Sequence, residues 1–175
     1  DNDYGGAATW MDTIAVGNRY ATGKWYATEN CPNTPAAFGN DSGYGTKLAP
    51  GISDWLAGLI LDTHGLFQGL DTPDYYPGLT TSCNQKGLTP LGSRLVEAMM
   101  RKGMIIDIDH MSIKTMDDTL TLAEANSYPG IVASHALLFD LTKKDFRNER
   151  MRTTEQLKRI AALGGMIGAM TQPPE

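Results

Sequence analysis

Hydrophobic and polar positions divide this chain into two unlike halves, with the change near residue 86. From residue 87 onward the apolar positions recur with clear periods. Thr89-Pro90 places an N-cap and a proline at the first helical position. Leu91, Leu95, Val96, Met99 and Met100 follow at three-to-four spacing, and Gly103 closes that helix. Met104 to Asp109 then reads as a short apolar strand with acidic residues towards its end. Ser112 caps a second helix carrying Met116, Leu120, Leu122 and Ala123 to about Asn126. Pro129-Gly130 breaks it, and Ile131 to Ser134 is a second strand. A polar, charged loop runs from Leu137 to about Arg152. Thr153 or Thr154 caps a third helix with Glu155 in its first turn and Leu157, Ile160 and Ala161 on its apolar face. Gly164-Gly165 ends it, and Met166 to Met170 is a third strand.

Short apolar strands alternating with amphipathic helices predict parallel strands joined by right-handed crossovers. An open doubly wound sheet and a β/α barrel both satisfy that order. No Gly-x-Gly-x-x-Gly or Walker motif follows a strand, and polar side chains stand at strand C-termini, where barrel enzymes place their sites. The expected fold class is therefore α/β: a partial (β/α) TIM-type barrel in residues 87–170, within a unit spanning 87–175. Residues 1–86 form a loop-rich segment ahead of it, rich in Gly, Asn, Thr, Pro and aromatics. There, Ala7 to Val16 suits a short helix or strand. Ile52 to Leu61 suits a helix capped by Ser53, with Trp55, Leu56, Leu59 and Ile60 on one face. A full barrel takes roughly 250 residues, and three strands leave open edges. The expectation is a homo-oligomer or the remainder of a longer chain.

Composition narrows the function classes. With 15 basic against 20 acidic residues and a net charge of −5, a phosphate-tracking nucleic-acid surface is not expected. No apolar run approaches the roughly 20 residues of a membrane span. The first residues show neither a basic nor an apolar leader region, which suits a cytosolic chain, a processed secreted one or a fragment. Cys31 and Cys83 stand in polar, loop-like surroundings, which suits a disulfide better than a core thiol. The expected compartment is therefore secreted or periplasmic. Asn40-Asp41-Ser42 matches a glycosylation sequon.

The candidate chemistry lies at two strand ends. Of the three histidines, His110 and His135 stand just after consecutive predicted strands, which are neighbours in a parallel sheet. Two neutral imidazoles about 4–6 Å apart can share one divalent ion through Zn–N bonds of about 2.0–2.1 Å. Asp107 and Asp109 are placed either to ligate directly or to orient a ligating imidazole through its second nitrogen. Strand alternation puts both aspartates on one face and His110 on the other, unless the chain turns there. The competing reading is of ordinary rim histidines and a structural aspartate.

Gly87-Leu88-Thr89-Pro90-Leu91-Gly92, Met104-Ile105-Ile106-Asp107-Ile108-Asp109-His110-Met111-Ser112 and Pro129-Gly130-Ile131-Val132-Ala133-Ser134-His135 resemble the membrane (renal-type) dipeptidase family, peptidase M19-like amidohydrolases, in a divergent bacterial branch. The likeness covers about half the chain, from Gly87 to Gly168. It implies a metal-activated water that cleaves a peptide or related amide bond, with one or two zinc ions as cofactor and a small peptide or amide as substrate. It also implies that His110 and His135 bind the second ion, and that Arg147, in Arg147-Asn148, grips the substrate carboxylate. A bidentate guanidinium suits that task. The competing reading makes Arg147, Arg150 and Arg152 solvated loop residues. His64 is the candidate for the family's substrate-binding histidine, although its neighbours do not match.

The departures are specific. There is no His-x-Asp strand for the first zinc, and the chain stops before a late catalytic aspartate. Glu29 sits in a loop-like setting and is not assigned as the bridging glutamate. The alternative function is a catalytically inactive structural or self-assembling protein derived from the fold. A third reading is an exported ligand-binding module using Trp10, Trp25, Tyr26 and Trp55 as stacking surfaces.

Overall fold

The computed structural model describes residues 3–8, 21–23, 27–29, 31, 83–142 and 147–170. His64, the expected helix from Ile52 to Leu61, the Asn40 sequon and the aromatics Trp10, Trp25, Tyr26 and Trp55 lie outside the described residues.

The elements are β1 (Thr28–Glu29), β2 (Cys83–Asn84), α1 (Pro90–Arg101), β3 (Ile106–Asp107), α2 (Ile113–Ala125), β4 (Ile131–Ala136), a 3-10 turn (Phe139–Leu141), α3 (Thr154–Ala162) and β5 (Met166–Ala169). Each helix begins where a hydroxyl can satisfy an orphan amide. Thr89 Oγ1 accepts from Gly92 N, and Ser112 Oγ accepts from Thr115 N. Thr153 forms a full capping box with Gln156, so the cap is Thr153 and not Thr154. Gly103 ends α1 in the left-handed region, with φ 69°, where a side chain would be strained.

β3, β4 and β5 form a parallel sheet in that order. This is the expected α/β alternation; the described strands beyond residue 86 are β3, β4 and β5, and they make up this sheet. Val96 and Met100 of α1, Met116, Leu120 and Ala123 of α2 and Ile160 of α3 pack on Ile106, Ile108, Ile131, Ala133 and Ala136. The first strand is shorter than its apolar run suggested. Pairing with β4 starts only at Ile106, whose amide donates to Gly130 O, so Met104 and Ile105 stand outside the ladder and exposed.

β1 pairs antiparallel with β2, and a Cys31–Cys83 disulfide fastens them, as the sequence suggested. Both cysteines are buried with Phe139 and Met151, in a small second core that the loop-like reading of their neighbours did not foresee. Further up the chain, Ala7 bridges Met111, and Ala8 N donates to His110 O. Ala7, Ala8 and Cys31 thus pack directly against residues beyond 86.

Candidate metal centre

Two different backbone devices bring the histidines together. After β3 the chain turns at Asp109-His110, and His110 sits in the left-handed region with φ 64°. That turn removes His110 from the strand alternation that would have sent it to the opposite face. On β4, strict alternation from Ile131 and Ala133 would bury His135 among the helices. Instead the register slips: the three steps from Ala133 to Ala136 lie against the two from Ile167 to Ala169. Ala136 takes the buried position, and the His135 side chain is left 41% exposed at the rim. Gly168 makes room for this, since a Cβ there would run into the Ser134 carbonyl oxygen.

The two rings face each other, with centroids 4.9 Å apart and Nε2 to Nε2 at 2.8 Å. A hydrogen-bonded network around Asp107 assigns their protons. Asp107 Oδ2 accepts from Ser134 Oγ at 2.5 Å, and Ser134 Oγ lies 2.7 Å from His135 Nδ1. A hydroxyl that donates to a carboxylate accepts from its other neighbour, so His135 carries its proton on Nδ1. Its Nε2 lone pair then points at His110, which donates. Asp107 Oδ1 also accepts from the amides of Asp109 (3.0 Å) and Ser134 (3.4 Å). Burial works to raise the Asp107 pKa, but these hydrogen bonds and the nearby His135 outweigh it and hold the carboxyl below its ordinary value. Burial, with the neighbouring Arg150 and His135, depresses His110, which favours the neutral ring that a metal needs.

Asp109 points inward. Its side chain is 1% exposed, and Oδ2 accepts the His135 amide at 2.7 Å and lies 3.4 Å from His135 Nδ1. Asp107, Asp109 and His135 each offer a ligand atom within 4.8 Å of the others. The donor set of imidazole nitrogen and carboxylate oxygen is the kind that zinc takes. Two zinc bonds meeting at a tetrahedral angle need nitrogens about 3.3 Å apart, so the facing rings need only part by about half an ångström. The residues present fit a divalent ion.

The loop after β4 holds what sequence reasoning missed. Arg150 and Arg152 are buried, not solvated. Arg150 Nη2 donates to His135 O at 3.3 Å, and Arg152 Nη2 donates to Ile108 O at 2.9 Å. Glu149, fully buried, accepts from the amides of Asn84 and Ile113, so it ties β2 and the start of α2 to this loop. The one available signal was the Arg-x-Arg spacing directly before the Thr153 cap. Arg147 has its guanidinium 4.6 Å over the Phe139 ring, with Nε donating to Thr142 O.

The profile of the membrane dipeptidase family, peptidase family M19, matches residues 74–173, more than half the chain. An uncharacterised dipeptidase of Schizosaccharomyces pombe is 29% identical over 89 residues, covering 51% of this chain and 20% of that protein. Among solved structures, the probable dipeptidase PvdM of Pseudomonas aeruginosa is 32% identical, with a TM-score of 0.41, over 47% of this chain and 19% of its own. A metallo peptidase of Rhodobacter sphaeroides, liganded with a phosphinate mimic of L-Ala-D-Ala, is 34% identical with the same TM-score of 0.41, over 47% and 21%. The chain thus spans about a fifth of the length of these relatives. By that family match, with its motif histidines face to face at two strand ends, this chain belongs to the membrane dipeptidase family, peptidase family M19.

Proposed function

We propose that this chain carries one metal half-site of a zinc-dependent, dipeptidase-type hydrolase acting on a small peptide or related amide. The observation that carries the reading is the approach of His110 Nε2 to His135 Nε2 at 2.8 Å, from the ends of two adjacent parallel strands. His110 and His135 would hold the ion, with Asp109 or Asp107 within reach as a carboxylate ligand. When bound, a divalent ion polarises the scissile carbonyl and activates a water. The chain's own part is positional. The Asp107–Ser134 hydrogen bonds keep the His135 proton on Nδ1, which leaves Nε2 free to ligate. Arg147 is the carboxylate grip that the family resemblance implies. Arg150 is a second candidate on geometry, because its guanidinium reaches His135 and its charge is felt at His110. The remaining ligands of a two-ion centre would come from a longer polypeptide or a second copy. The disulfide supports a secreted or periplasmic setting.

Elemental analysis and zinc titration of the purified chain test the reading. One or two tightly held zinc ions, lost in His110→Ala and in His135→Ala, are expected. A chain that binds no zinc and assembles with concentration would instead be a self-assembling descendant without activity.

A further inference from the structure

The pairing of Arg152 with Asp109 is poorly explained as a stability device. Both side chains are essentially unexposed, 0% and 1%, yet their nearest charged atoms are 3.5 Å apart. Asp109 Oδ1 and the Nε and Nη1 atoms of Arg152 find no hydrogen-bond partner among the described residues. A buried ion pair left this incomplete is no better for stability than well-packed apolar residues of the same volume. Its connections point elsewhere. Arg152 is fixed at both ends of its own backbone, its N–H donating to Leu137 O and its carbonyl accepting from Phe139 N. From there the guanidinium reaches the carbonyl of Ile108, one residue past β3, and the carboxylate one residue further on. That carboxylate holds the His135 amide through Oδ2.

We propose that Arg152 is a positioning residue: it holds Asp109 in place, and through Asp109 it sets the position of His135 opposite His110. The structural claim concerns the chain alone; only its consequence for zinc rests on the metal-site reading above. Arg152 touches the turn that carries His110 on one side and, by way of Asp109, the strand end that carries His135. One buried group thereby sets the separation of the two rings.

The test uses the disulfide-intact, metal-free chain with isotope-labelled histidine, comparing wild type, Arg152→Met, Asp109→Asn and the double variant by NMR. The His135 signals are assigned by their loss in His135→Ala. In Arg152→Met the His135 signals should shift or broaden while the rest of the spectrum stays folded. In the double variant they should return towards wild type, because the new amide oxygen can still accept the His135 N–H and no charge is left buried. Zinc affinity should fall about 10–100-fold in Arg152→Met, the usual effect of removing a group that orients a ligand. Unchanged His135 signals in a folded Arg152→Met overturn the proposal. If that variant does not fold, Arg152→Lys, which keeps the charge and gives up the planar guanidinium, decides. Shifted or broadened His135 signals in a folded Arg152→Lys support the proposal, and wild-type signals overturn it. A wild-type chain that binds no zinc overturns the metal-site reading, and the NMR comparison still decides the role of Arg152.

Discussion

Two arginine–carboxylate clusters in this molecule use the same chemistry in opposite surroundings. Arg159, on α3, reaches across to Asp117, Thr121 and Glu124 of α2. Its side chain is 30% exposed, and those of Asp117 and Glu124 are 46% and 40% exposed. There the hydrogen bonds with Arg159 lead: they depress Glu124 and raise Arg159. Asp117 is raised instead, because its burial outweighs the attraction of Arg159. Around Arg152, burial is the leading cause and pushes the guanidinium down in spite of Asp109. Water screens the first cluster, so it joins two helices at little cost and little gain. The second has no such screen, and removing either partner leaves the other without its counter-charge.

The largest break in this contrast comes from Arg152→Ala. Asp109 would be left as an uncompensated buried charge, and about 3–5 kcal/mol of stability should go. Urea unfolding with the disulfide intact measures this. A loss below about 1 kcal/mol would mean that the rim cluster behaves like an exposed one. Gly168→Ala comes next, since the new methyl group would meet the Ser134 carbonyl oxygen in the adjacent strand. Overpacking of this kind costs about 1–3 kcal/mol. It should also displace Ser134, so zinc affinity should fall along with the unfolding midpoint; a change in neither would show that β5 yields freely.

The smallest effect belongs to Arg159→Ala, at about 0–1 kcal/mol for each exposed pair. Its pH dependence gives the sharper comparison. Glu124 is depressed from 4.5, so its contribution is full above that pH and is lost as pH falls through the lower folded value. The stability gap between wild type and Arg159→Ala should therefore narrow in acid, and also in about 1 M salt. A gap that persisted under both conditions would mean that packing of the arginine stem, not charge, joins the helices.

What the sequence could show follows from how far each interaction reaches along the chain. The caps at Thr89, Ser112 and Thr153 were legible because a hydroxyl bonds an amide three residues away. Pro129-Gly130 and Gly164-Gly165 marked their breaks for equally local reasons. Strand limits were less legible. Met104 and Ile105 are as apolar as Ile106, but pairing starts only where the Gly130 carbonyl can accept an amide. That both histidines stand at strand ends was legible, but not how they are aimed. The slip between Ala133 and Ala136 depends on β5, and a left-handed His110 leaves no mark in an apolar pattern. Arg150 and Arg152 were missed because a loop arginine is buried only by partners far away; Ile108 is 44 positions from Arg152.

The left-handed backbone at His110 bears on how the site should be taken apart. That conformation costs an ordinary L-residue about 1–2 kcal/mol, whereas glycine adopts it freely. Histidine and alanine both carry that cost, but alanine carries it without a ring whose contacts hold the turn. Glycine removes the ring and spares the turn. If both variants lose zinc equally, the missing imidazole is the cause. If glycine retains more, part of the alanine loss belongs to the bend itself, and the metal's grip is partly a property of the main chain.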